Sequence, residues 1–155
     1  MRKKNVTRRS SFTQIELLVV IGIIGILVGI LLPAISSAIK EGKKTKAESD
    51  CKLIALAVAG YKNDNQTLPY ADNSSDQEVG NITTEIYERL GGQTARGKVY
   101  FENNGTHLNP WDNPYQIAFD SNYSGAVDTT SFGTVAGPVA VWTEVPGSTY
   151  VYSWE

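Results

Sequence analysis

The chain has 155 residues and a net charge of −2, enough for one small domain and an N-terminal module. Five basic residues, Arg2, Lys3, Lys4, Arg8 and Arg9, lie in residues 1–11, and the remainder holds 9 basic and 16 acidic residues, a net of −7. An acidic body argues against nucleic acid as a main partner, because phosphate binding needs a clustered basic surface, and the single cysteine, Cys51, excludes an internal disulfide.

The leader is followed by 23 uncharged residues from Leu17 to Ile39. As a helix they span about 35 Å, against a hydrocarbon core of about 30 Å, so the run can cross a bilayer. An ordinary secretory signal with cleavage after "SSA" at Ala38 is one reading of this pattern. It leaves Glu16, at the entrance to the apolar run, without a role. Lys/Arg counts at the two ends of the run are equal, so charge alone leaves its orientation open; the short basic N-terminus favours a cytoplasmic leader. Pro33 lacks the N–H that would bond the Gly29 carbonyl, which predicts a bend or loosening there. Gly25 and Gly29 offer a small-residue face for a second helix, or are simply the glycines common in apolar membrane helices.

Beyond Pro33 the helical pattern turns amphipathic. Ala47, Cys51, Ile54, Val58 and Tyr61 form one apolar stripe, which predicts a helix to about Tyr61 packed on the domain through this half. Lys40, Lys43, Lys44 and Lys46 precede the stripe and read as a solvated face, or as contacts to anionic headgroups or acidic neighbours. Cys51 is a small core residue.

"YKNDNQTLPY" ends the helix through turn-forming Asn and Asp and through Pro69. Residues 71–80 read as a polar loop, and "ITTEIYERLGG" as a short helix closed by Gly91 and Gly92. After Gly97 the pattern changes to strands, "KVYFE", "YQIAF", "PVAVW" and "YVYSW". Three or four antiparallel strands covering one long helix define an α+β domain. In "NPWDNPYQI", Pro110 and Pro114 rigidify a turn that can hold Trp111 and Tyr115 against the helix.

The stretch "SFTQIELLVVIGIIGIL" resembles the processing signal and N-terminal helix of type IV pilins and of the pseudopilins of type II secretion. Ser11 stands where that family usually has Gly, Phe12 is the Phe after the cut, and Glu16 is the fifth residue after it; Pro33 falls on the family's proline position. "NPWDNPYQI" and "YKNDNQTLPY" are similar to the turn and helix exit of the major pseudopilin. The resemblance implies a pilin-like fold with four parts: a leader (1–11), a transmembrane and assembly helix (12–39), its amphipathic continuation (40–62) and a globular domain (63–155). A prepilin peptidase would cut between Ser11 and Phe12 and methylate Phe12. Glu16, with Pro33, Gly25 and Gly29, would serve assembly, Glu16 by pairing with a neighbouring subunit's N-terminal amine.

The implied partners are the peptidase, identical subunits and minor pseudopilins in a helical fibre, the inner-membrane assembly platform and the membrane. The implied location is the bacterial inner membrane as a single-pass protein, with cytoplasmic leader and periplasmic domain, and then a periplasmic pseudopilus supporting secretion. A surface pilin for adhesion, motility or DNA uptake is the alternative, and a secreted or signal-anchored domain the second.

The family's aspartate-rich calcium loop near the C-terminus has no counterpart in "VWTEVPGSTYVYSWE". Instead, in "DSNYSGAVD", Asp120, Asn122, Ser124, Gly125 and Asp128 fall on positions one, three, five, six and nine of an EF-hand-like loop, with Ser131 in place of the twelfth-position Glu. This stretch reads as a polar hairpin loop or as a weak calcium site; no other cofactor is expected. His107 is the only histidine and has no nucleophile in register, so no catalytic residue is assigned and a non-enzymatic protein is expected.

Overall fold

The computed structural model describes residues 12–70, 77–92, 97–102, 108–121, 123–147 and 149–154. Helix α1 spans Gln14–Asn65, α2 spans Thr84–Leu90, and the strands are β1 Gln77–Asn81, β2 Gln116–Phe119, β3 Ala126–Thr129, β4 Gly133–Ala136, β5 Val139–Val145 and β6 Thr149–Tyr152. The chain divides into two compact units, Met1–Lys40 and Glu41–Glu155. The architecture is the expected α+β, pilin-like arrangement of a long N-terminal helix and a small antiparallel sheet.

In the first unit the described residues are helical from Gln14, and every one is solvent-exposed. The helix runs through Pro33 without interruption, and just beyond it the Ser36 and Ser37 hydroxyls donate to the carbonyls of Leu32 and Pro33 at 3.1 and 3.2 Å. These are ordinary i to i−4 back-bonds of serine in a helix, and neither reaches the Gly29 carbonyl that Pro33 leaves without its amide.

In the second unit the predicted stripe is the buried face of α1: Ala47, Cys51, Ile54, Val58 and Tyr61, joined by Ala57. It packs on Ile117, Phe119, Val139, Val141 and Val151, the alternate residues of the central strands. The sheet has the order β1-β2-β5-β6, all neighbours antiparallel. Its other face buries Ala118, Ala140 and Trp142 against Val127 and Val135 of a separate β3–β4 hairpin. There Phe132 meets Trp142, Tyr150, Tyr152 and Trp154 edge-on, with ring centroids 5.3–6.0 Å apart, a geometry aromatic quadrupoles favour.

Three local expectations are corrected. Helix α1 continues past Tyr61 to Asn65 because its last turn is anchored. Asn65 Nδ2 donates to the Tyr61 carbonyl and to Tyr100 Oη, and the Tyr100 hydroxyl donates to Asp64, which also pairs with Lys98. "KVYFE" is not a strand: the amides of Tyr100 and Phe101 both donate to the Leu90 carbonyl at the end of α2, at 2.8 and 3.2 Å. Tyr100 and Phe101 then pack edge-on or tilted against Tyr61 and Tyr87.

The fourth strand is instead β1, within the stretch read as a polar loop. It pairs with β2 through a bulge between Glu78 and Gly80, where Gly80 has φ 71°. A left-handed residue at a bulge favours glycine.

Candidate functional site

The first site is the start of α1. Thr13 caps the helix: its hydroxyl accepts from the Glu16 amide at 3.3 Å, while Glu16 Oε2 accepts from the Thr13 amide at 2.9 Å and from its hydroxyl at 2.8 Å. This reciprocal arrangement is a capping box, which satisfies helix-terminal amides that otherwise lack partners. Glu16 therefore has a role within its own chain that its position in an apolar run did not reveal. Thr13 was missed as its partner; the Thr-x-x-Glu spacing was the available signal. Oε1 accepts no bond among the described residues. Phe12 is largely exposed, and Ser11, with the bond expected to be cut, lies outside the described residues, as does the leader.

A Cβ built on Gly25 or Gly29 meets nothing within 4 Å. Nothing in the chain itself requires glycine there, so any role for these residues lies in contact with another molecule. The same holds for the apolar side chains from Ile15 to Ile39, all exposed. With Glu16 as its only charge, this segment is long and apolar enough to cross a membrane.

The second site is the turn that clamps the domain to α1. Tyr115 is buried, and its hydroxyl donates to Asp50 Oδ2 on α1 at 2.8 Å; burial, and then this bond, push the hydroxyl's pKa upward. Burial likewise pushes the Cys51 thiol from its ordinary 9.0 up to about 12, with Asp50 and Glu48 adding to it. Cys51 is inert core, as expected. Trp111 is half-buried, with the Lys43 ammonium 5.9 Å from its ring centroid. The sequence reading placed Trp111 and Tyr115 correctly.

It missed what holds the turn. Asn109 is buried; its Oδ1 accepts from the amides of Trp111 and Asn113 at 2.8 and 3.0 Å. Its Nδ2 donates to Thr143 Oγ1 and to the Glu144 carbonyl on β5 at 2.9 and 2.8 Å. The Thr143 hydroxyl in turn donates to the Pro114 carbonyl at 2.9 Å. One side chain thus shapes the Asn-Pro-Trp-Asp-Asn-Pro turn and pins it to the sheet.

The third is the stretch from Asp120 to Asp128. Asp120 is buried and accepts from the amides of Ser124 and Gly125 at 2.8 and 2.9 Å, so it caps a tight turn in which Gly125 has φ 92°. Asp128 is on the exposed face of β3 and accepts from the Thr134 hydroxyl at 2.6 Å. Asn122 lies outside the described residues. Asp120 and Asp128 thus take separate protein partners, and among the described residues no group of three or more His, Cys, Asp or Glu is arranged to hold a metal ion. His107 is also outside the described residues.

A long helix, apolar and then amphipathic, with one carboxylate in its first turn and a four-stranded antiparallel sheet packed on its second half, defines a pilin-like protein. Residues 34–138 match the family "Type II secretion system (T2SS), protein G", and the chain belongs to that family. It is 33% identical over 126 residues to "Type II secretion system core protein G" of Pseudomonas aeruginosa, covering 81% of this chain and 84% of that protein. The protein of the same name from Aeromonas hydrophila is 31% identical over 126 residues, covering 81% and 83%. "Fimbrial protein Q" of Moraxella bovis is 33% identical over 93 residues, covering 59% and 55%. No solved structure matches the chain. The family match begins after Pro33 and ends before β5, so the Ser11–Glu16 motif and the β5–β6 hairpin lie outside it.

Proposed function

We propose that the chain is a structural subunit of the periplasmic pseudopilus that supports type II secretion, made as a single-pass inner-membrane precursor with a cytoplasmic leader. In this reading a prepilin peptidase cuts between Ser11 and Phe12 and methylates the new amine. Subunits then leave the bilayer and pack with identical copies and minor pseudopilins at an inner-membrane assembly platform. The protein acts by assembly and performs no catalysis.

The observation that carries this is the first half of α1, wholly exposed and apolar with Glu16 as its one charge. A carboxylate near the bilayer centre costs about 2.5–3.5 kcal/mol, less toward the helix end. Two unit charges about 4 Å apart attract by about 4 kcal/mol at an effective dielectric near 20. Pairing of Glu16 with a neighbour's Phe12 amine therefore offsets the desolvation and sets axial register. The capping box supports this, because Thr13 engages Oε2 and leaves Oε1 to receive that amine.

The test is Glu16→Gln: membrane insertion is retained and fibre assembly is lost, whereas normal fibres from the variant overturn the reading. Mass spectrometry of the mature chain is expected to find a methylated Phe12; an N-terminus at Ile39 or an uncut chain supports a secreted or signal-anchored domain. The likeness to a fimbrial protein favours a second reading, a surface pilus. Fibres on intact cells with secretion unaffected by deletion would select it.

A further inference from the structure

The second half of α1 is covered on one side only. Away from the stripe that packs on the sheet, Leu53 and Leu56 are 49% and 68% exposed, and their spacing of three puts them on one helix face. Ala55, Leu56 and Ala59 on the helix, with Pro138, Val139 and Trp154 across from them, wall an open apolar cleft of about 390 Å³. All of these residues belong to the second compact unit. Apolar surface left open to water in this way marks a place where another molecule packs.

The cleft is preformed. Trp154 stacks on Tyr152 with ring centroids 4.7 Å apart and meets Phe132 edge-on at 5.4 Å. The Ser153 amide donates to the Val141 carbonyl at 2.9 Å, and its hydroxyl accepts from the Val141 amide at 3.2 Å, which fixes the strand end that carries Trp154. On the same side the Gly137 amide donates to the Gly125 carbonyl at 2.9 Å, just ahead of Pro138, whose ring fixes φ. On the helix side Ala55 and Ala59, four residues apart, make a low floor over which a second helix can come close.

The lining decides what fits. Lys52 is its only charge and is exposed, so its ammonium can stay in water while its stem covers apolar surface. The Ser153 hydroxyl is already taken by Val141. A polar partner would therefore leave its own groups unpaired against Leu56, Val139 and Trp154, at a cost an apolar helix does not bear. The chain carries such a helix. Residues 17–39 are uncharged, their large apolar side chains are all exposed, and Gly25 and Gly29 repeat the four-residue spacing of Ala55 and Ala59 with open space around them.

We infer that this cleft is the seat in which a second copy of the chain lays residues 17–39 of its α1, with Gly25 and Gly29 over Ala55 and Ala59 and Leu56 packed beside them. This rests on the assembly reading proposed above. It gives the apolar helix a surface to cover it once outside the bilayer, by the same helix-in-groove contact that buries apolar helices elsewhere.

The full chain is produced in cells that assemble it into fibres, with p-benzoylphenylalanine in place of Leu56. Sheared fibres are irradiated, and the peptides crosslinked in the dimer-sized band are identified by mass spectrometry. The same probe in place of Glu88, exposed on α2, is the control. Crosslinks from position 56 are expected to fall in residues 17–39 of the other copy, about tenfold above those from position 88 to that segment. L56E is expected to lower fibre yield about tenfold or more, because burial of one leucine is worth a factor of that size and a charge in its place loses more. Membrane insertion and melting temperature stay unchanged in this variant, and L56A, which adds no charge, shows a smaller loss in the same direction. Wild-type fibre yield in L56E overturns the seat, as do crosslinks from position 56 that map to the sheet of a neighbour or to a different protein. Wild-type fibres without the crosslink to residues 17–39 refute the seat alone, whereas a wild-type chain that forms no fibres refutes the assembly reading with it.

Discussion

The Tyr115 hydroxyl donates to the Asp50 carboxylate at 2.8 Å and so ties the turn before β2 to the second half of α1, across 65 residues of chain. Removing the hydroxyl leaves a half-buried carboxylate without that donor, which costs about 1–3 kcal/mol. Tyr115→Phe is therefore expected to lower stability by that amount in urea unfolding of the full chain in detergent. A change below about 0.5 kcal/mol would show that the bond adds nothing.

Three buried acids make the domain sensitive to alkali. Burial raises the Cys51 thiol from 9.0 to about 12, and it raises the hydroxyls of Tyr87 and Tyr115 as well. Because the folded pKa values exceed the unfolded ones, the folded state holds more protons in this range. Stability is fully present below about pH 9 and falls as pH rises from there through 12 and beyond, by up to about 1.4 kcal/mol per pH unit for each group. Melting temperatures measured from pH 7 to pH 11 are expected to be flat and then to drop. Cys51→Ala should shift the onset of the drop upward.

Asn109 holds four hydrogen bonds, two within the turn and two to β5. Asn109→Ala leaves two amides, the Thr143 hydroxyl and the Glu144 carbonyl short of a partner, an expected loss of about 2–4 kcal/mol. Asn109→Asp keeps Oδ1 and replaces the donating Nδ2 with an acceptor facing Thr143 and Glu144. Urea midpoints are expected to show both variants destabilised. Wild-type stability in Asn109→Asp would mean that only the Oδ1 bonds matter.

Asp120 and Asp128 separate in the same way. Asp120→Ala strips two turn amides of a buried acceptor and is expected to cost about 1–3 kcal/mol, whereas Asp128→Asn on the exposed strand face should stay within about 0.5 kcal/mol. The same separation bears on calcium: with Asp120 and Asp128 engaged by different protein donors, millimolar calcium is expected to leave the melting temperature unchanged, and a rise that Asp128→Asn removes would assign these residues a calcium site.

At the helix start, Thr13→Ala removes both side-chain bonds of the capping box and costs about 1 kcal/mol of local stability. Hydrogen exchange of the first-turn amides in detergent is expected to quicken about fivefold, with the rest of α1 unchanged. Protection equal to wild type would remove the box from the account.

What the sequence by itself determined was whatever repeats over short distances. The apolar run, the stripe from Ala47 to Tyr61, the short helix ending at Gly91, and the strands at "YQIAF", "PVAVW" and "YVYSW" follow from periodicity, because a residue's face in a helix or strand depends only on its neighbours. The lone Glu16 was equally visible, and with Phe12 and Pro33 it carried the family resemblance.

Only the tertiary structure decided which segments became sheet partners. "KVYFE" has β-forming residues, but its amides are spent on the Leu90 carbonyl. The polar Gln77–Asn81 becomes a strand because the open edge of β2 supplies its hydrogen bonds. Asn109 looked like one turn residue among several. Its place as the hub of the clamp required Thr143 and Glu144 to arrive from 34 and 35 residues away. Hydrogen-bond partners brought together by chain folding leave no local pattern in the sequence, and that is why the helix and the proline-bracketed turn were legible and the Asn109 hub that pins the turn was not.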